Sequence, residues 1–495
     1  MATMIRGIRL AGGGYVLTQV LNFVVYLVLV RLLTPRAYGL FAAGSLITGI
    51  GGLFAESGML AALIKREDRI DEAASTAFFA LLVSGTGLVL ASLALSPLLG
   101  LIFHSARVGE VTAVLSGWLF VRALTIVPDA LLQRSFSFRR RVIVDPLGVL
   151  AYAAAGIPLA ASGAGVWALV AAAYASIVVE AVAAWLACGF RPRWREASMT
   201  MWRDLARFSR PLVIGEVVRR VTLQVDVFVL GRFTSPTTLG QYRNGQMLAS
   251  QPAGVFTQVT SYVILPAFAR LAVVPQRLAA AARHAYWVAY SVIVPMSLAL
   301  IPLGVPLAVT ALGPTWRPAG QAIAALSGML LGNCVWSISA ELIKGIGALQ
   351  FQLRLQWLAL VLTVILLVPA GVLWGLIGVS VALSVSTCMI VSLIMVGVAR
   401  ILRLSPRVLF RGLLTPGLAS VPMVAAMFLF QHAVNLVAAP EAARVALLIA
   451  DVVLGAVVYT AILGVIDPPR RRAAAGVTAR ALARMRAGRA PSSRR

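Results

Sequence analysis

Apolar runs of about 18 to 28 residues follow one another along this chain with few polar interruptions. A soluble helix shows an apolar stripe on one face, whereas a membrane-spanning helix needs roughly 20 mainly apolar residues in a row. Taken in order, the runs predict fourteen helices, at 11–33, 38–64, 75–100, 111–133, 145–161, 165–189, 211–232, 239–268, 284–311, 319–345, 355–372, 375–400, 412–437 and 442–466. The predicted class is an all-α polytopic membrane protein with about 14 transmembrane helices. A mean hydropathy of +0.91 and 60% hydrophobic residues agree with that class.

The pattern repeats. RLLTPRAYGLF (Arg31 to Phe41) and RFTSPTTLGQY (Arg232 to Tyr242) stand 201 residues apart, pairing Thr34 with Ser235, Pro35 with Pro236 and Gly39 with Gly240. Pro sets a tight turn and Gly lets the next helix begin close by. GVWALV (Gly165 to Val170) matches VLWGLI (Val372 to Ile377) at an offset of 207, pairing Trp167 with Trp374. Two ordered matches predict two pseudo-symmetric six-helix lobes related by an axis along the membrane normal. The expected divisions are an N-lobe at 1–200, a C-lobe at 201–410, two additional helices at 411–467 and a basic tail at 468–495.

The net charge of +26 follows the same alternation. With this helix order, 33 of the 43 basic residues fall on the side of the N-terminus and seven on the other. The positive-inside rule then places both termini in the cytoplasm, and the charge needs no nucleic acid to explain it. The tail Pro468–Arg495 reads either as a disordered basic anchor or as a segment lying on anionic lipid through Ala473–Met485. Cys188, Cys334 and Cys388 lie far apart in apolar runs, and His104, His284 and His432 are scattered, so no metal, cofactor or disulfide framework is implied. No Gly-rich phosphate loop is present, and the loops are too short for the outer catalytic loop of a membrane glycan polymerase or ligase.

Three basic residues remain at mid-membrane: Arg122, Arg219 and Arg220. The last two stand in Pro211–Arg232 with Glu216 and Asp226. For a helix starting at Pro211 the arginines lie roughly 12–14 Å in, where each charge costs about 2.5–3.5 kcal/mol. Such residues must face protein or water. Glu216 and Arg220 have the favourable i,i+4 order, which leaves Arg219 as the more available cation. Two readings stand at this point: the four charges join helices, or they form the cationic floor of a cavity that receives an anion. At the same offset of 201 the first helix carries Thr18, Gln19, Asn22 and Tyr26, polar but uncharged, with Gln19 and Asn22 expected to line the same cavity. Arg122 either lines it or pairs with Asp129 or Glu180. Glu56 reads as a coupling site or a structural charge partner, and Glu341 with Lys344 as structural partners.

Several stretches resemble a known family: LVRLLTPRAYGLFAAGSLI, ESGMLAALIKRED, DEAASTAFF, PDALLQRSFSFRRR, DVFVLGRFTSPTTLGQYRNGQMLASQP and LPAFARL. They are similar to the oligosaccharide flippases of the MOP superfamily, in its Wzx-type polysaccharide-export branch. The likeness is carried by the first 270 or so residues and beyond them mainly by topology. It implies twelve to fourteen helices in two lobes around a central cavity, no enzymatic activity, and transfer of polyprenyl-diphosphate-linked glycan across the bacterial inner membrane, with membrane lipid and polysaccharide polymerase machinery as partners. It also implies that Arg219 and Arg220 meet the diphosphate–sugar headgroup, for which the planar guanidinium fork is suited. Asp226 and Glu216 are then either proton or cation sites or neutralise the arginines. The alternative is a multidrug or metabolite exporter of the same superfamily, for which an apolar, acidic cavity is expected.

Overall fold

The computed structural model describes residues 2–56, 63, 68–134, 138–272 and 274–467. The tail with Ala473–Met485 lies outside them. Among the described residues there is no strand. The helices are α1 (Ala2–Leu32), α2 (Pro35–Gly44), α3 (Leu46–Glu56), α4 (Ile70–Ile102), α5 (Ala106–Arg134), α6 (Phe138–Ala161), α7 (Val166–Cys188) and α8 (Met199–Thr222). They continue as α9 (Val225–Phe233), α10 (Pro236–Leu271), α11 (Pro275–Ala311), α12 (Arg317–Ala325), α13 (Ser327–Gly345), α14 (Leu349–Ile401), α15 (Pro406–Val434) and α16 (Glu441–Ile466).

Eight of these are long and apolar enough to cross a membrane, or up to ten spans if each of two bent pairs counts as one. The chain is therefore an all-α, multi-pass membrane protein. Length and apolarity alone account for fewer spans than the predicted fourteen. One reason is that α14, at 53 residues, holds two predicted ranges, divided at Gly375. Another is that the charged pair α8–α9 and the polar first half of α10 do not pass as apolar spans.

The repeated turn is built the same way twice. Thr34 caps α2, its hydroxyl accepting from the Ala37 N–H at 3.4 Å, with Pro35 as the first helical residue. Ser235 does the same before α10, accepting from the Thr238 N–H at 3.2 Å, with Pro236 following. A capping hydroxyl satisfies an orphan amide of the first turn, and a proline there loses no hydrogen bond. The second repeat is shifted from the expected register. Gly165 (φ 59°, ψ −126°) and Gly375 (φ 54°, ψ −129°) share one backbone conformation that suits glycine. Structurally Gly165 therefore pairs with Gly375, which moves Trp167 away from Trp374.

The chain divides into two compact units. The first comprises Met1–Arg243 and Leu367–Leu376. Here α4 packs along α5, α6 along α7, and α1 along α6. A core of small residues, including Ala73, Ala74, Ala77, Ala123 and Ala130, lets α4 and α5 approach closely, and Met201 and Leu205 of α8 insert into it. Phe78 meets Trp185 edge to face at 5.5 Å. The connector before α8 is pinned to α4 by the Arg193 and Ser198 N–H groups, which donate to Ser75 and Thr76 at 3.3 and 3.0 Å.

The second unit comprises Asn244–Leu366 and Ile377–Arg495. α11 packs against α12, α13, α15 and α16. The α12–α13 pair is bent by 50°. A side chain occupies that bend: the Ser384 hydroxyl donates to the Ala325 carbonyl at 2.7 Å and accepts from the Met329 N–H at 3.2 Å. The polar groups freed by the bend are thus satisfied away from water, as an apolar surrounding requires. Between α15 and α16, Met423, Met427, Tyr459 and Leu463 form an apolar cluster, and the Tyr459 hydroxyl donates to the Ser291 carbonyl of α11 at 2.7 Å. Asp451 of α16 is fully buried. Its Oδ2 accepts from Gln431 Nε2 of α15 at 2.7 Å, and its Oδ1 has no hydrogen-bond partner among the described residues.

Candidate functional site

The candidate site is built on a break in the chain between α8 and α9. The apolar run predicts one helix over 211–232. Instead α8 begins at Met199, capped by the Ser198 hydroxyl, and ends at Thr222. Leu223 and Gln224 form a turn before α9 begins at Val225. The Leu223 N–H reaches back to the Arg219 carbonyl at 3.1 Å and the Gln224 N–H to the Val221 carbonyl at 2.9 Å, closing α8 tightly. Gln224 then lies against α3, where its amide occupies the space a Cβ on Gly49 would need.

Glu216, Arg219 and Arg220 stand together on the last two turns of α8. The helix macrodipole favours cations at this end. The expected i,i+4 pair of Glu216 with Arg220 is present, but Arg219 makes the closer contact. Arg219, three residues on from Glu216, takes the carboxylate in a two-pronged contact, with Nε at 2.7 Å from Oε2 and a terminal nitrogen on Oε1. Arg220 only approaches, with Nε 3.6 Å from Oε1. That Nε is buried and has no hydrogen-bond partner among the described residues. Positions three and four residues on are both helical neighbours of Glu216, and the fork geometry of Arg219 decides between them. The cluster keeps one positive charge in excess, and 40% of the Arg219 side chain and 37% of Arg220 remain exposed, against 26% for Glu216. Arg219 is thus the more tightly held of the two and Arg220 the more loosely held.

Asp226 is separated from this cluster by the break and sits in the first turn of α9, where the macrodipole favours an acid. It is buried; its Oδ2 accepts from the Tyr242 hydroxyl at 2.7 Å and its Oδ1 from the Val227 N–H at 2.8 Å. Tyr242, a partner absent from the sequence reading, belongs to the repeated turn and is fully buried. At the far end of α9, Arg232 reaches the His104 ring at 3.2 Å, and Phe103 packs on Phe228 and over Gly231.

Gln19 and Asn22 of α1 are exposed, and neither hydrogen-bonds to Arg219 or Arg220 among the described residues. Arg122 of α5 lies in a different group. It interacts electrostatically with Glu180, which also feels Asp145 and Asp129 and accepts a hydrogen bond from Ser176 at 2.9 Å. The Glu180 side chain lies where Gly148 leaves room for it. Glu56 ends α3, and its side chain lies outside the described residues. Glu341 pairs with Lys344 at 3.1 Å within α13. No group of three His, Cys, Asp or Glu residues among the described residues could hold a metal ion.

The two copies of the repeated turn meet. A Cβ on Gly39 would collide with the Pro236 carbonyl, and one on Gly240 with the Pro35 carbonyl. Each glycine also faces the other's backbone nitrogen, at 3.0 Å from the Cβ position of Gly39 and 2.9 Å from that of Gly240. The contact is thus reciprocal and made of backbone.

A family model described as "Polysaccharide biosynthesis protein" matches residues 28–321. The succinoglycan biosynthesis transport protein ExoT of Rhizobium meliloti (strain 1021) is 24% identical over 458 residues, covering 90% of this chain and 89% of that one. Among solved structures, the lipid II flippase MurJ in an inward closed conformation superposes with a TM-score of 0.77 at 14% identity, over 92% of this chain and 98% of that one. An inward-facing multidrug resistance MATE family transporter of the MOP superfamily gives 0.61 at 18% identity, over 77% and 94%. These two likenesses are of fold.

Proposed function

Because the chain belongs to the polysaccharide biosynthesis protein family, we propose that it flips a polyprenyl-diphosphate-linked oligosaccharide across the bacterial inner membrane. The headgroup moves from the cytoplasmic to the periplasmic leaflet by alternating access, for synthesis of a surface polysaccharide such as O-antigen, capsule or exopolysaccharide. The carrying observation is the cluster of Glu216, Arg219 and Arg220 at the helix break, with its excess positive charge and the unsatisfied Arg220 Nε. A diphosphate has charge and acceptor oxygens for that guanidinium. The headgroup loses water on crossing and needs such replacement bonds, while the prenyl tail stays in lipid. The roles of the similar proteins, transport in succinoglycan biosynthesis for one and flipping of lipid II for the other, support the same class. The multidrug alternative is disfavoured because this cluster would repel an organic cation.

The reading keeps fourteen spans, with α8–α9 and α10 shielded from lipid by protein or water, two six-helix lobes with boundaries at 200 and 410, and both termini in the cytoplasm. Reporter fusions after residues 105, 236 and 316 are expected to report the periplasm, and fusions after 70, 200 and 480 the cytoplasm. A periplasmic result at 200 rules out this topology.

The transport reading is tested by deletion. Cells lacking the chain are expected to accumulate lipid-linked oligosaccharide in the cytoplasmic leaflet and to lose surface polysaccharide, both restored by the wild-type gene. Normal surface polysaccharide in the deletion strain, or a deletion phenotype confined to sensitivity to cationic drugs, refutes it.

A further inference from the structure

In the second unit, two cavities of about 430 and 630 Å³ open side by side where α11 begins, α14 ends and α15 begins. They share Ala280 and Arg283. The first is lined also by His284, Trp287 and Arg411, and the second by Gln276 and Arg403. Both volumes are in the range of small-molecule sites. Among the described residues no carboxylate lines either cavity. From residue 227 to residue 440 the sequence holds a single acidic residue, Glu341, and that one pairs with Lys344.

Two local features mark the cations as placed. Arg403 holds the left-handed conformation (φ 55°) just past the end of α14, where its N–H donates to the Arg400 carbonyl at 3.1 Å and the Leu404 N–H to the Ala399 carbonyl at 2.8 Å. Glycine is the usual residue at such a helix end, so an arginine is held there against backbone preference. His284 stacks on Trp287 at 5.7 Å, a flat aromatic wall beside Arg283. Leu402, Val408 and Leu409 supply apolar lining next to these polar groups.

We propose that these adjoining cavities bind the headgroup of an anionic phospholipid. The proposal rests on the topology above, which puts this end of the unit at the cytoplasmic leaflet. Basic pockets between helices on that side suit phosphorylated lipid headgroups. Two cavities joined at Arg283 suit a headgroup with two phosphates, one in each, with Arg411 and His284 on one side and Arg403 on the other. The apolar residues meet the glycerol and the first carbons of the chains. The site is separate in sequence and unit from the Arg219–Arg220 cluster.

The test is native mass spectrometry of the purified full chain with diphosphatidylglycerol, phosphatidylethanolamine, undecaprenyl diphosphate or inorganic phosphate added singly. The wild type and the Arg220→Gln variant are expected to retain diphosphatidylglycerol but not phosphatidylethanolamine. A combined Arg283→Gln, Arg403→Gly and Arg411→Gln variant is expected to bind it at least about tenfold more weakly, since each surface arginine adds roughly a fewfold to anionic-lipid affinity. Arg403→Gly removes the cation and relieves the backbone, so the fold is kept; an unchanged melting temperature without lipid confirms this. Equal retention by the combined variant overturns the proposal. So does a loss in the combined variant confined to inorganic phosphate, which would mark the cavities as a simple anion site, or one confined to undecaprenyl diphosphate, which would assign them to the transported substrate. Arg220→Gln, by contrast, separates failure of the headgroup reading, seen in export, from failure of this one, seen in lipid retention.

Discussion

Arg220→Gln is expected to remove most export per molecule while the protein inserts at its normal level. The Arg220 Nε is buried without a hydrogen-bond partner among the described residues, and at 3.6 Å its ion pair with Glu216 is the looser of the two. An unsatisfied buried donor costs about 1–3 kcal/mol, so its removal does not destabilise the helix break. What is lost is the charge-assisted contact to the diphosphate, about 1.5–3 kcal/mol, or roughly 10- to 150-fold in headgroup affinity. Arg219→Gln has a different signature. It strips Glu216 of its two-pronged partner. Breaking a fully buried pair costs about 3–5 kcal/mol, but with both side chains partly exposed the loss is reduced to about 1 kcal/mol or somewhat more. Its expected effect is a lower amount of inserted protein, with Arg220 drawn onto Glu216. The check is surface polysaccharide divided by membrane-inserted protein for each variant. Wild-type export per molecule by Arg220→Gln would show that the headgroup is held elsewhere.

The second large effect is expected at the reciprocal glycine contact. Gly39→Leu or Gly240→Leu places a side chain against a carbonyl and an amide of the facing turn. Backbone cannot swing aside as a long side chain can, so the two turns must separate. Overpacking of this kind costs typically 1–3 kcal/mol, about a 5- to 150-fold shift away from the contacting state. The proposed topology puts both turns on the periplasmic side, so a cysteine introduced by Arg36→Cys, with Cys188, Cys334 and Cys388 replaced, is expected to react faster with a membrane-impermeant thiol reagent. Export is expected to fall at the same time, because a carrier that cannot close one side cannot alternate. Unchanged labelling and unchanged export together would mean that the contact plays no part in the cycle.

The elements of this fold were readable because they are written in hydropathy and in caps. Thr34 with Pro35 and Ser235 with Pro236 announce their helix starts from local chemistry alone. The break at Leu223–Gln224 was not readable: it contains neither proline nor glycine, and the pocket that Gly49 leaves for Gln224 is a matter of tertiary packing. The bend at Leu326 is hidden for the same reason, since the Ser384 hydroxyl that satisfies it is more than fifty residues away in sequence. At the site, the presence of one acid and two arginines was legible, but not which arginine the acid would take. Positions 219 and 220 are both within reach of Glu216, and only side-chain geometry separates them. In the sequence Arg283, Arg403 and Arg411 are three among many basic residues of the charge alternation, which carries no information on the cavities they line.

The buried pairing of Asp451 with Gln431 bears on how the chain is made. During synthesis α15 emerges before α16, and the apolar run Ala443–Ile466 carries an acid in its first half. Alone in lipid, that acid would cost about 2.5–3.5 kcal/mol. The Gln431 amide waits on the preceding helix, only a short turn away. The two helices are thus suited to leave the translocon as one hairpin, the acid already held by its partner. A ribosome stalled so that α16 is exposed should show α15 still beside the channel, and Gln431→Leu should delay release of the pair.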